Sequence, residues 1–330
     1  FKMMKLILFL PLVFQTVTAF SPRVHVRCSR TLMKMASQEE NYVAFLDMKG
    51  LSRRSLALST IIGVTSLTGQ VRPSSAEGLK NVVVAGGTGQ TGRRIVQRLA
   101  TDKTLNVVAG VRDITKAQKS LSEASITVRG AMVQQVDKVD TNGIDLKHLD
   151  VVADSPEALA ATLKGADSLI IATGFIPGNP FKMVEAAHAV DNVGTIKLVE
   201  AAKSAGVTKI VMVSSILTNG RAWGQEKSPG FQVTNAFGNV LDEKIVAENY
   251  LRASGIDYTI VRPGGLKATP PTGAVQVNKE DTLNSGEISR DLVADVCVAA
   301  LTDPNAKNKV VEIIESEKAS DALPSSKWFI

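Results

Sequence analysis

The chain has 330 residues, 44% hydrophobic and 21% charged, with 25 Gly, 12 Pro and 2 Cys. That composition excludes collagen-like, low-complexity and fully disordered polymers. The formal net charge of +6 belongs to residues 1–76, which hold 10 Lys+Arg against 3 Asp+Glu, whereas residues 77–330 hold 28 against 29. So even a balance cannot neutralise nucleic-acid phosphates, and no nucleic-acid partner is expected. Cys28, Cys297, His25, His148 and His188 show no zinc-type spacing, so neither a disulfide scaffold nor a metal site is expected.

Lys5 precedes an apolar run over residues 6–14, then Val17-Thr18-Ala19, the pattern of a secretory signal. Phe20 follows at the expected cut, and residues 20–37 carry Arg23, Arg27, Arg30 and Lys34 but no acid, which is transit-peptide composition. The sequence Thr18-Ala19-Phe20-Ser21-Pro22 resembles the bipartite plastid leader of algae with secondary plastids; a plain secretory signal with a basic linker is the alternative. Ser52-Arg53-Arg54-Ser55-Leu56, a mild apolar stretch and Ser74-Ser75-Ala76 resemble a twin-arginine thylakoid signal, with an arginine-flanked linker as the alternative. These readings predict a leader over residues 1–76. They leave stroma, thylakoid lumen and peripheral thylakoid association open. No stretch after residue 76 approaches the ~18 apolar residues of a membrane span.

Beyond the leader the chain alternates. Strands are predicted at residues 82–85, 106–111, 148–151, 168–172, 209–214, 258–262 and 310–315. Helices are predicted near 95–99, 115–121, 158–163, 190–205, 241–254 and 290–301. This rhythm predicts an α/β fold, a Rossmann-type doubly wound parallel sheet in one domain over residues 77–330. Residues 122–146 interrupt it; Ile126-Thr127-Val128 and Met132-Val133 fit a small extra hairpin or an excursion, with no function assigned.

The first strand runs straight into Gly86-Gly87-Thr88-Gly89-Gln90-Thr91-Gly92-Arg93. Between a buried strand and a helix, such a loop brings bare backbone amides and the helix N-terminus to a pyrophosphate. The second strand ends Val111-Arg112-Asp113. A guanidinium there pairs with a ribose 2′-phosphate, which favours NADP(H) over NAD(H), with Arg112 the main contact and Arg93 the weaker one. Asp113 caps the next helix in the alternative reading. Asp150 and Val151, ending the third strand, are placed beside the adenine, and Ala172, Thr173 and Gly174, ending the fourth, over the cofactor ribose.

Taken in order, the glycine loop, Val111-Arg112-Asp113, Ile171-Ala172-Thr173-Gly174-Phe175, Val190-Asp191-Asn192-Val193-Gly194-Thr195, Val213-Ser214-Ser215-Ile216-Leu217 and Tyr258–Leu266 (residues 258–266) resemble the atypical short-chain dehydrogenase/reductases. Pro270-Pro271-Thr272-Gly273 and Glu280-Asp281-Thr282 resemble the plastid relatives of the import component Tic62. In orthodox members a Tyr, with a Lys four residues later, moves a proton while a Ser polarises the carbonyl. Here the resemblance places Lys244 at the lysine, Ser214 or Ser215 at the serine, but Val240 at the tyrosine. Lys244 is implied to hold the nicotinamide ribose, and Pro263, Gly264 and Gly265 to shape the loop near the ring. His188, a lone helix histidine, is not expected to be catalytic.

Two functions follow as expectations. One is an NADPH-dependent plastid oxidoreductase acting on an unknown small molecule, with a pocket between residues 175–181 and 217–236 and residues 218–235 as a mobile lid. The other is a non-catalytic NADP(H)-binding redox sensor or scaffold.

Overall fold

In a computed structural model the described residues are 78–123, 125–128, 132–135, 138–316 and 323–330; the leader readings lie outside them. Short, mostly apolar runs form the strands of one sheet whose faces are covered by helices, except along its exposed edge strand at residues 144–148. These are β1 (Asn81–Ala85), β2 (Asn106–Val111), β5 (Ile144–His148), β6 (Ser168–Ile171), β7 (Lys209–Val213), β8 (Asp257–Pro263) and β12 (Lys309–Ser316). With β10 (Ala274–Asn278) they make one sheet of order β10-β12-β8-β7-β6-β1-β2-β5, parallel throughout except that β10 runs antiparallel to β12.

The helices cover both faces. Ile95, Val96 and Leu99 of α1 (Gln90–Leu99) and Val293, Val296 and Cys297 of α8 (Arg290–Thr302) share one core with β1, β2 and β8. The opposite core joins Leu159 and Leu163 of α3 (Pro156–Leu163), Leu198 and Val199 of α5 (Thr195–Ser204) and Leu251 of α7 (Val240–Ala253). From β1 the chain winds outward to β2 and β5, then restarts at β6 on the other flank. The strand order reverses beside β1, and such a switch point leaves a crevice at the carboxyl ends of the strands.

The predicted alternation is what the structure shows, with the hairpin β3 (Ser125–Val128) and β4 (Met132–Gln135) between α2 (Ile114–Ser122) and β5. The third strand is displaced. It ends at His148, because Asp150 accepts from the amides of Val152 and Ala153 (2.9 and 3.1 Å) while Asp154 accepts from the Asp150 amide at 2.7 Å, closing a turn at once. The helix expected over 190–205 begins earlier, as α4 (Met183–Ala187), and widens into a π-helical stretch, His188–Gly194, before α5. Gly194 there lies against Val151, where an added Cβ would meet Val151 atoms at 2.9–3.0 Å. Three elements went unpredicted besides β10: α6 (Pro229–Asn235) and the parallel pair of β9 (Gly265–Lys267) with β11 (Glu287–Ser289).

Candidate cofactor site

The turn from β1 to α1 is built by two glycines. Gly86 has φ +80, and an added Cβ would sit 2.9 Å from the Ala172 carbonyl oxygen of the neighbouring strand end. At Gly92 a Cβ would lie 2.1 Å from the Gly86 carbonyl oxygen. The bare-backbone cradle is therefore required by packing, and it differs from expectation in one respect. The amides of Gly86 and Gly87 donate to the Gly110 carbonyl (3.2 and 3.1 Å), and that of Gly89 to Gly86 (2.9 Å). The donors left over are those of Thr88, Gln90, Thr91 and Gly92, which find no acceptor among the described residues. No side chain caps α1 at Gly89. Orphan amides at a helix start, with the positive end of its dipole, form an anion site. Two side-chain oxygens beside it, Gln90 Oε1 and Thr173 Oγ1, are sealed from solvent without a hydrogen-bond partner. Buried polar atoms seldom stay unpaired in a native protein. A phosphate-bearing ligand with ribose hydroxyls fits both the cradle and these atoms.

Arg112 follows the last residue of β2, is exposed, and makes no ion pair with the described residues. Asp113, next to it, accepts from the Lys116 amide at 2.9 Å and caps α2, as its alternative reading had it. Arg93 is a different matter. It is 2% exposed, and its guanidinium faces the carbonyls of Leu121 and Glu123 at the end of α2 (3.5 and 3.4 Å). The helix turns Arg93 to the inner face, so the structure does not bring it to the phosphate side. Asp150 and Val151 occupy the turn after β5 rather than the strand. The Asp150 carboxylate is spent on that turn and Val151 is buried.

At the other half of the crevice, Ala172 continues the β6 pairing by donating to Ala85 at 3.0 Å, with Thr173 and Gly174 next. Lys244, on α7, reaches Asp191 in the π-helical stretch with Nζ 2.8 Å from Oδ1. The Asp191 side chain is 1% exposed, and its second oxygen accepts from the Phe175 amide at 3.1 Å. One buried carboxylate thus ties the lysine to the loop after β6. Sequence reasoning quoted Asp191 in a motif but gave it no role; a buried-facing acid beside Gly194 was its only signal.

Ser214 is buried and lies 3.3 Å from the Thr218 hydroxyl, whereas the hydroxyl of half-buried Ser215 has no protein partner among the described residues. Of the two, Ser215 is the one available to a ligand. Val240 joins an apolar cluster with Ile216, Leu217, Phe231 and Leu241, packed against by Phe175, Trp223 and Leu283. The segment expected as a mobile loop holds instead α6, capped by Ser228, with Phe231 anchoring it in that cluster. Pro263 ends β8, and its carbonyl accepts from Ile216 at 3.0 Å. The close approach at Gly264 is to the Gly286 carbonyl, and Gly265 donates to that same oxygen at 2.9 Å. These glycines therefore serve the β9–β11 pairing.

The loop behind this wall is held by charge. Glu315 accepts from the amides of Thr272 and Gly273 and pairs with Lys267 at 3.0 Å. Burial pushes its carboxyl up, but those hydrogen bonds outweigh it and hold the group at about 2.

A doubly wound sheet with an amide-lined glycine turn at its switch point defines a dinucleotide-binding protein. The chain belongs to the NAD(P)H-binding family, whose model it matches over residues 130–304. It is 46% identical over 246 residues to an uncharacterised chloroplastic protein of Arabidopsis thaliana, covering 73% of this chain and 78% of that one. It is 31% identical over 293 residues to the chloroplastic protein TIC 62 of Pisum sativum, covering 80% of this chain but 51% of that protein. Among solved structures, an oxidoreductase from Lactococcus lactis superposes with TM-score 0.56 at 23% identity, over 72% of this chain and 92% of that one. This likeness shows the fold.

Proposed function

We propose that the chain is a plastid NADP(H)-binding protein with reductase activity toward a small-molecule acceptor, acting without the tyrosine of its orthodox relatives. The observation that carries the cofactor is the set of amides at Thr88, Gln90, Thr91 and Gly92, unpaired among the described residues, with the Arg112 guanidinium, likewise unpaired among them, just past the end of the neighbouring strand. The chloroplastic relatives support the compartment. When bound, the reduced nicotinamide supplies a hydride. The chain's own part would be to orient it: Lys244, fixed by Asp191, would hold the nicotinamide ribose, and the Ser215 hydroxyl would meet the acceptor. Valine at position 240 exchanges no proton, so protonation falls to solvent or to the acceptor itself.

Titration with both coenzymes tests the cofactor. Arg112→Ala is expected to weaken NADP(H) binding about 10- to 100-fold, the weight of a charge-assisted phosphate contact, and to leave NAD(H) within about twofold. Equal losses for both coenzymes would remove the 2′-phosphate assignment.

The apolar cluster around Val240 favours a second reading, an NADP(H)-responsive partner without turnover. Offering quinone and flavin acceptors to the NADPH-loaded protein, and following loss of the reduced-nicotinamide absorbance, separates the two. The reductase reading expects turnover at saturating NADPH to fall at least about tenfold in Lys244→Ala. Tight binding with no turnover on any acceptor selects the second reading.

A further inference from the structure

The 2′-phosphate reading leaves one charged group next to Arg112 without a role. His148 is the last residue of β5 and pairs in register with Val111, the residue before Arg112. Its Nε2 lies 2.9 Å from Asp154 Oδ1, and the strand register sets its residue beside the Val111–Arg112 backbone. The Asp154 carboxylate is itself anchored, because its other oxygen accepts from the Asp150 amide at 2.7 Å. An imidazolium donates from both ring nitrogens, so it can hold the Asp154 turn and still present an N–H on the Arg112 side; neutral imidazole donates from one.

We propose that His148 is a specificity-determining residue of the coenzyme site: as an imidazolium it positions the Arg112 turn and adds a second positive charge where a ribose 2′-phosphate is held. This rests on the NADP(H) reading above and gives its selectivity a pH dependence.

The groups around the ring agree with it. The loop after β5 presents Asp154 and Asp150, and β2 presents Arg112. Asp113, beyond Arg112, is engaged with Lys116 at 3.4 Å. On the α3 side Thr162 donates its hydroxyl to the His148 carbonyl at 3.1 Å. Lys197 of α5 spends its ammonium on the carbonyls of Val152 and Asp154, both at 3.0 Å. The Asp154 hydrogen bond and charge, then the Arg112 carbonyl and Asp150, hold the imidazole above its ordinary range. The sign follows. A raised group keeps its charge below the ordinary histidine value and loses it as pH rises through the folded one. NADP(H) selectivity is therefore highest on the acid side and declines above it. The coenzyme's own 2′-phosphate gains charge with pH near a pKa of ~6, which acts in the opposite sense and lower down.

The test uses the full chain and both coenzymes, with dissociation constants measured from about pH 7 upward, through the imidazole titration. In the wild type the ratio of NAD to NADP dissociation constants is expected to fall about fivefold, the worth of one nearby unit charge in a solvated setting. His148→Gln should be flat at the low ratio, and His148→Arg flat at the high one. The chain holds 3 histidines, so the His148 ring signals can be followed by NMR. NADP⁺ should raise the midpoint of their titration and NAD⁺ should not. A wild-type ratio independent of pH, or unchanged in His148→Gln while Arg112→Ala still loses NADP(H), overturns the role of His148 and leaves the 2′-phosphate site standing. If no variant discriminates the coenzymes at any pH, both fall.

Discussion

Arg262→Leu is expected to lower folding stability by about 3–5 kcal/mol at neutral pH, because it strands buried carboxylates rather than removing one contact. Arg262 lies inside the sheet at 0% exposure. Its guanidinium meets Glu248 at 2.7 Å, Asp281 at 2.8 Å, Glu280 at 3.2 Å and Glu312 at 3.5 Å. Glu248 and Glu312 are also fully buried. Burial alone works against the guanidinium's charge, but these carboxylates outweigh it and drive its pKa upward. Glu312 also receives the amides of Asp281, Thr282 and Leu283 at 3.0, 3.1 and 2.7 Å, so the network pins the loop whose Leu283 backs the apolar wall beside Ser215. With Arg262 gone, Arg252 is the cation left facing Glu248, at 3.5 Å, and Glu280, while Glu312 keeps its backbone amides. Urea denaturation at neutral pH measures the loss. Arg262→Leu combined with Glu248→Leu should recover much of the loss, since a packed apolar pair replaces a broken ionic one. A single variant within about 1 kcal/mol of wild type at neutral pH would show that the cluster is solvated or already proton-neutralised.

Local pattern carried much of this molecule. Six of the seven parallel strands follow from short apolar runs, and the cofactor turn from a strand feeding directly into spaced glycines; both signals are confined to a few neighbouring residues. The departures came from side-chain turns, helix phase and packing, which periodicity does not record. The third strand was placed late because residues 149–151 are apolar enough to extend it, whereas Asp150 and Asp154 close a turn there. Arg93 sits three residues past the start of α1, close to the phosphate turn in sequence, yet the helix phase turns it toward the end of α2. The π-helical widening at His188–Gly194 leaves no mark in a hydrophobic pattern, although it carries the acid that holds Lys244. Residues 218–235 read as a loop from their glycines, but Ser228 starts a helix at Pro229 and Phe231 gives it a core.

Gly92→Ala is expected to abolish binding of both coenzymes, weakening each at least about 100-fold, where Arg112→Ala affects only one. On an exposed helix the change would add about 1 kcal/mol of stability, since alanine is the better helix former. At this position the sign reverses. The new methyl group would stand 2.1 Å from the Gly86 carbonyl oxygen, 2.9 Å from its carbon and 3.3 Å from Gly87 Cα. All three are backbone atoms, and Gly86 is fixed in turn by the Ala172 strand end and the Gly110 carbonyl. No rotamer relieves the overlap, so α1 must lift away from β1. Overpacking of this kind costs about 1–3 kcal/mol. The same displacement moves the amides of Thr88, Gln90, Thr91 and Gly92 out of their common direction, and a displacement near 1 Å is enough to lose a converging set of donors. The helix is also held from behind, by Arg94 and Arg98 on Asp291 of α8, each at 3.1 Å, which confines the shift to its N-terminal end. A cooperative melt at lowered temperature with unchanged far-ultraviolet dichroism, together with no calorimetric heat on adding NADP⁺ or NAD⁺, is the expected result. Binding retained within about threefold would mean that the phosphates are held elsewhere than on this turn.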